Sequence, residues 1–320
     1  MNGGGSNRSE AKWANINYLL KSESINILAL QETHLTEEAS NLLGQKFNRF
    51  RILASPHPTH PTNRGGVAIL INKHNTRWES AISEEIIPGR ALLAKFELND
   101  GGRLNILAVY APSGDDTANA EFWTLLSSRL TDTGIRHIDI MLGDMNMVEN
   151  RYDRFPPHPD RQSVVDALQH MKTSWDLRDG WKVLNPDKND HTFQTKRRNG
   201  QINSRSRIDR IYVRDALIDR CDEWRISETG VGTDHSLVSV YFTPKGTPFV
   251  GPGRSSVPDF ILEYPDVRRG ILARAKAAAD QIHQFARLNN RTNESNPQTI
   301  WHTLKREIMD LTKEMEASTQ

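Results

Sequence analysis

Ile138-Asp139-Ile140-Met141-Leu142-Gly143-Asp144-Met145-Asn146 is the stretch on which the reading of this chain turns. The run from Ile138 to Leu142 has the length and apolar character of a strand covered on both faces. It stops at Gly143, directly before an acid and, two residues on, an amide. Polar groups just past the end of a buried strand stand where a rigid scaffold presents functional side chains. Asp144 and Asn146 point to one side if the chain stays extended, and such a pair can hold and polarise a water. The alternative is an Asx turn that only closes the strand.

Outward from this stretch the pattern repeats. Ile25 to Leu30, Val67 to Ile71 and Leu104 to Tyr110 are further apolar runs, and Ile208 to Val213 and Leu237 to Phe242 read the same way less purely. Helical patterns lie between them: Trp13, Ile16 and Leu20, with Asn7 and Glu10 as start signal, then Ala120 to Leu130 and Arg161 to Met171. Strands interleaved with helices predict an α/β protein with helices outside its sheets.

Three more stretches place ionisable groups at strand ends. Gln31-Glu32-Thr33-His34 follows the first apolar run, and its carboxylate suits a hard divalent cation; otherwise Glu32 starts a helix on the surface. In Arg207-Ile208-Asp209-Arg210-Ile211 a carboxylate interrupts a strand and needs a partner, either a histidine or Arg207 or Arg210 in a structural ion pair. Thr233-Asp234-His235-Ser236 precedes Leu237 to Phe242 and is either a turn or an acid and an imidazole serving a metal and a phosphate. His57, His60 and His158 lie in Pro-containing loops and are given no role.

Composition sets the class. The chain has 320 residues, 25% charged and 37% hydrophobic, which is the profile of a soluble globular protein with a sizeable core. A formal net charge of +1 leaves any nucleic-acid surface to local patches. The single cysteine, Cys221, excludes an internal disulfide and a cysteine zinc cluster, and fits an intracellular setting. No apolar run is long enough to cross a bilayer, so no membrane partner is expected, and Met1 to Ser9 is no secretory signal. Four prolines and three glycines mark a linker between a domain over residues 1–243 and a helical appendage over 259–320, with the linker at 244–258. In the appendage one apolar stripe runs through Val267, Ile271, Ala275, Ala278, Ile282 and Phe285, and a second through Trp301, Leu304, Ile308, Leu311 and Met315.

Taken in order, Gln31-Glu32, Tyr110-Ala111-Pro112, Gly143-Asp144-Met145-Asn146, Ser206-Arg207-Ile208-Asp209-Arg210-Ile211 and Thr233-Asp234-His235 resemble the endonuclease/exonuclease/phosphatase, or deoxyribonuclease I-like, superfamily over residues 1–243. The resemblance implies an α/β (α+β) four-layer sandwich: two stacked, mostly antiparallel sheets flanked by helices, with the C-terminal helices appended. It implies a Mg²⁺ or Mn²⁺ cofactor on Glu32, with Asp234 contributing. It implies that Asp144 orients the attacking water or takes its proton beside Asn146, that His235 contacts the scissile phosphate while held by Asp209, and that Tyr110 donates to a phosphate oxygen. The superfamily's first strand ends in Asn-x-Asn-Gly or Asn-x-Asp-Gly, and Met1-Asn2-Gly3 matches only its end. Asn2 then takes the second metal-lining position, and the strand before it is expected upstream of Met1, leaving an interior strand out of this polypeptide.

Within the superfamily the chain is most similar to the endonuclease domain of LINE-type non-LTR retrotransposons. The residues are Leu30 to His34, Val109-Tyr110-Ala111-Pro112, His191-Thr192-Phe193 and the tail, where Asn296-Pro297-Gln298-Thr299-Ile300-Trp301 resembles part of the linker to a reverse transcriptase. The similarity implies a DNA-nicking endonuclease, DNA as partner, a reverse transcriptase domain following in the full-length element, and a nuclear location. The basic stretch Lys196-Arg197-Arg198-Asn199-Gly200, with a hairpin signal at Asn199-Gly200, is expected to contact DNA together with Thr192, Arg205 and Arg207; otherwise it is a solvated charged loop. Three other functions share these catalytic groups or this surface: an abasic-site repair endonuclease, an inositol or lipid phosphatase, and a catalytically dead DNA-binding remnant. Oligomeric state is left open.

Overall fold

A computed structural model of the chain describes residues 6–98, 101–197, 200–244, 259–288, 291–292 and 295–319. The first half runs α1 (Ser6–Ser22), β1 (Ile27–Gln31), α2 (Glu37–Lys46), β2 (Phe50–Ser55), β3 (Val67–Asn72), β4 (Ile82–Ile87), β5 (Ala91–Glu97) and β6 (Arg103–Tyr110). There follow α3 (Asp116–Asp132), β7 (Ile140–Asp144), β8 (Arg154–Phe155), α4 (Gln162–Ser174), β9 (Leu177–Asp179) and α5 (Gly180–Leu184). Then come β10 (Phe193–Lys196), β11 (Ile202–Ser206), β12 (Asp209–Arg214), β13 (Cys221–Ser227) and β14 (Leu237–Phe242), and finally α6 (Pro265–Leu288) and α7 (Pro297–Thr319).

Six strands form one sheet in the order β4-β5-β6-β7-β12-β9. Its pairs are antiparallel except β6 with β7, whose crossover is made by α3. The Asp115 carboxylate starts that helix by accepting the Thr117 and Ala118 N–H groups, which would otherwise be orphaned. One face of the sheet, through Leu93, Leu107, Val109, Met141 and Tyr212, packs on Trp123 and Leu126 of α3 and Val164 and Leu168 of α4. The other face, through Leu92, Ile106, Ala108 and Ile211, meets Leu53, Ile69 and Ile71 from a second layer. That layer contains β1-β3-β2 and, as a separate piece, β13-β14. Its far side buries Leu28, Ala68 and Leu70 under Trp13, Ile16 and Leu20 of α1. The result is helix, sheet, sheet, helix, the four layers that the resemblance implied. Burial on both sides explains why Val67–Asn72 reads as an unbroken apolar run: all six of its residues are buried.

Among the described residues no strand joins β1 to β14, and each stands at the end of its sheet. Met1 to Gly5, which include Asn2, lie outside the described residues. So does most of the expected linker, beyond Pro244.

By internal contacts the chain divides into two compact units, Met1–Thr247 and Pro248–Gln320. In the second, α6 and α7 pack closely at Gly270, where an added Cβ would lie 2.7 Å from Leu311 Cδ2. Val267, Ala278 and Leu304 are buried as their stripes predict, whereas Trp301 is 56% exposed.

Candidate active site

The strand register draws the polar residues together. Tyr110 of β6 is the register partner of Asp144 of β7, and Asp144 is the partner of Asp209 of β12. Neighbouring strands lie about 4.8 Å apart, so these three side chains form a short row across the sheet. Asp209 opens its strand while Asp144 ends its own, and they meet because the two strands are antiparallel. The loops of the second layer close over the row. Glu32, just after β1, accepts a hydrogen bond from the Tyr110 hydroxyl. His235, just before β14, places Nδ1 2.8 Å from Asp209 Oδ2. Asp209 is therefore partnered by a histidine and not by Arg207 or Arg210.

Local backbone shape is unusual here. Glu32, His34 and Asn146 all have φ of 50°, a left-handed conformation that non-glycine residues adopt seldom. At Asn146 the chain does not stay extended, as a simple strand end would. It turns, with the Asn146 N–H donating to Asp144 Oδ1 (2.9 Å) and the Asn146 side-chain amide donating to the Ala111 carbonyl (2.8 Å). The pair therefore forms the turn, with Asp144 in the row and Asn146 beside it. Gly143, at φ 143°, lets this happen: a Cβ there would sit 2.0 Å from the Val109 carbonyl oxygen.

The charges are tightly linked. Burial, then the charge of Asp209, pushes the Asp144 carboxyl up to about 8, against the pull of His235. Burial disfavours the charged His235 ring, but the hydrogen bond to Asp209 and the charges of Asp209, Asp144 and Asp234 outweigh it, taking the imidazole up to about 9. Burial and the hydrogen bond to Glu32 hold the Tyr110 phenol protonated, well above its ordinary range. Asp144, Asp209 and His235 each offer a ligand atom, and the three atoms lie within 4.8 Å of one another. The carboxylates here, with Glu32 beside them, are oxygen donors suited to a divalent cation such as Mg²⁺, while His235 Nδ1 is taken up by Asp209.

The sequence profile of the Endonuclease/Exonuclease/phosphatase family matches residues 2–235, a span holding every residue of this row and both loops that close over it. The chain belongs to this family. Its members are metal-dependent phosphoester hydrolases. No curated protein sequence matches. Among solved structures the chain is similar to the endonuclease domain of TRAS1, a telomere-specific non-LTR retrotransposon, at 16% identity over 75% of this chain and 95% of that one, with a TM-score of 0.56. It is similar to the AP endonuclease LMAP from Leishmania major at 16% identity, 75% and 85% coverage and a TM-score of 0.61. It is also similar to the 3′ phosphatase NExo from Neisseria, solved with a product DNA hairpin, at 18% identity, 73% and 95% coverage and a TM-score of 0.58. These likenesses establish the fold. Among the described residues, no helix is long and apolar enough to cross a membrane.

Two residues expected at a DNA surface are instead internal. Thr192 is buried, and its Oγ1 accepts the backbone N–H groups of Ile208 (3.1 Å) and Asp209 (3.0 Å), so it seats the start of β12. Arg207 is also buried; it donates to both Asp153 oxygens (3.0 and 3.2 Å) and to Asp179 Oδ2 (2.6 Å). A side chain so enclosed is not at a surface where a phosphate could reach it. Lys196, Arg197 and Arg205 are exposed on the β10–β11 hairpin, and among the described residues none of the three is ion-paired to a carboxylate. Arg198 lies outside the described residues. Asp234 is exposed beside His235, and its carbonyl accepts the Gln194 N–H.

The structure adds residues that the sequence patterns did not single out. Asn119 of α3 donates to the carbonyls of Met145 (3.0 Å) and Pro112 (2.9 Å) while accepting from Trp123 Nε1 (2.8 Å), tying the Asn146 loop to the helix. Asp153 bridges Arg207 and Arg210 beneath the same loop. The ring of Phe193 lies against that of His235, with centroids 4.8 Å apart.

Proposed function

We propose that this chain is a divalent-cation-dependent DNA endonuclease that nicks target DNA, as a non-LTR retrotransposon endonuclease domain would. The observation that carries the proposal is the Asp209–His235 pair at 2.8 Å, set within ligand distance of Asp144. A carboxylate on Nδ1 fixes the imidazole's tautomer and direction, and leaves Nε2 to donate to a phosphoryl oxygen. Asp144 stands beside the Asp209–His235 pair and in this reading takes a proton from the attacking water in its ionised form, which the charge of His235 favours. The Asn146 amide nitrogen is engaged by Ala111, so its oxygen is the end left to orient that water. Tyr110, kept protonated, gives its one hydrogen to Glu32 here and turns it to a second phosphoryl oxygen when Glu32 takes the cation.

Glu32 holds the cation in this reading, Mg²⁺ or Mn²⁺, with Asp234 and Asn2 as the further ligands that the family resemblance suggests. When bound, it neutralises the charge that builds on the phosphoryl oxygens. The free cations of the β10–β11 hairpin, Lys196, Arg197 and Arg205, favour a polyanionic strand over a small phosphoester. The test is nicking of supercoiled plasmid with Mg²⁺ or with EDTA, comparing the chain with His235→Ala and Asp144→Asn, and with phosphoinositide hydrolysis measured in parallel. Mg²⁺-dependent nicking that falls by at least ~10²-fold in both variants is expected. DNA binding that survives EDTA, with no cutting by a folded chain, would sink the proposal in favour of a binding remnant.

A further inference from the structure

Arg90 stands immediately before β5, outside every motif that marks the site. It is delivered there by a tight turn. Gly89 has φ 69°, and a Cβ on it would lie 2.8 Å from His57 Cα. The Gly89 N–H donates to Ser55 Oγ (2.8 Å), and its carbonyl accepts the Gly66 N–H (3.1 Å). Ser55 Oγ in turn donates to Glu85 Oε2 (2.6 Å). The backbone leading into Arg90 is thus anchored to the end of β2 and the start of β3, and the Arg90 carbonyl accepts the Tyr110 N–H (2.8 Å).

From that anchor the half-buried side chain reaches the row of polar residues. Its guanidinium carbon lies 4.6 Å from the centroid of the Tyr110 ring. Nη1 donates to the carbonyls of Tyr110 and Ala111, both at 3.3 Å. The Ala111 oxygen is the one that also receives the Asn146 amide, and the Ala111 N–H donates to the Asp144 carbonyl (2.9 Å). One planar cation therefore touches the phenol ring and the peptide on which Asn146 and Asp144 rest. Among the described residues Arg90 has no carboxylate at ion-pair distance, so its charge is committed to this ring and these carbonyls. A flat guanidinium can stack on a ring and donate in its own plane at once, which an ammonium cannot do.

We propose that Arg90 is a positioning residue for phosphodiester cleavage: it holds the Tyr110 phenol against Glu32 and the Ala111 carbonyl under Asn146, so that Tyr110, Asp144 and Asn146 keep one geometry. This rests on the endonuclease reading of the site, and its test is built so that the two fail separately. Arg90→Met keeps the stem and removes the planar cation; Arg90→Lys keeps the charge. In plasmid nicking Arg90→Met lowers kcat by ~10²-fold, the cost of a displacement of about 1 Å in a catalytic group, while KM for DNA changes less than about threefold. Arg90→Lys recovers part of the loss. Without metal or DNA, the Tyr110 resonance in a chain labelled at tyrosine Cζ shifts in Arg90→Met.

A kcat within about threefold of the parent, while His235→Ala abolishes nicking, would overturn the proposal. So would a raised KM with kcat kept, which would make Arg90 a DNA contact. If the parent chain does not nick at all, the endonuclease reading has failed and the resonance decides alone: unmoved, it refutes the positioning role. Should Arg90→Met not fold by circular dichroism, the same comparison is made on Arg90→Lys, with the same refuting result.

Discussion

Replacing Asp153 with alanine should destabilise the first unit severely, although Asp153 is not among the residues expected to touch substrate. Its side chain is 2% exposed and accepts from Arg207 Nε (3.0 Å) and Nη2 (3.2 Å) and from Arg210 Nη2 (3.4 Å). Arg210 is wholly buried, and its remaining contacts are the Met147 carbonyl at 3.0 Å and looser approaches to Glu149 and Asp179 at 3.7 and 3.8 Å. Among the described residues Arg207 then keeps only Asp179 as an ionic partner. Removing one member of a buried charge cluster costs about 3–5 kcal/mol, because the partners cannot be resolvated. For a domain of this size each kcal/mol moves Tm by about 2–4 °C, so a fall of ~6–20 °C is expected in thermal unfolding followed by circular dichroism. Asp153→Asn, which retains acceptor and shape, should lose less. A loss below about 1 kcal/mol would put the cluster in the range of exposed pairs and refute the claim that it pins the loop behind Asn146.

Two further outcomes follow from the same geometry. Lys196→Ala, Arg197→Ala and Arg205→Ala should each reduce the slope of log K against log salt for DNA binding by about 1, whereas Arg207→Ala should leave the slope unchanged and lower Tm; an unchanged slope in all three hairpin variants would remove the hairpin from the DNA surface. Acid should unfold the parent more steeply than Asp153→Ala. Burial works against the charged forms of Glu149 and Asp153, but Arg210 with Lys172 or Arg207 wins and holds both carboxyls below their ordinary values. A depressed folded pKa stabilises above the unfolded value, and the gain is lost as pH falls through the folded one, below about 4. Urea midpoints measured downward from pH 5 test this, and parallel curves for the two proteins would contradict it.

Much of the site was legible in the sequence because its parts stand at the ends of apolar runs. Ile138 to Leu142 predicts β7, and the acid beyond Gly143 is the centre of the row. Leu237 to Phe242 is β14 as read, with His235 just before it. β2, β4, β5 and β13 were not read, because each mixes polar residues with apolar ones, as Lys95 and Glu97 do in β5, and β4 is exposed at four of its first five positions; β8 and β9, of two and three residues, were not read either. Arg207 shows why the DNA surface was read too widely. A basic residue among other basic residues looks solvated, and only its burial against Asp153 and Asp179, 54 and 28 residues away in the chain, shows otherwise.

What the sequence determined by itself is local: alternation and apolar runs name the strands, breaks at glycine mark their ends, and short motifs there name the chemistry. Tertiary structure alone decided the partners. The antiparallel register of β7 and β12 set Asp209 opposite Asp144 and made the imidazole, not a neighbouring arginine, the partner of Asp209. The stacking of two layers put Glu32 on Tyr110, and the register of β5 with β6 put Arg90 on the Tyr110 ring. Such pairings depend on which strand edges hydrogen-bond and which faces bury, and these are settled by the free energy of the whole packed chain, not by any one stretch of it.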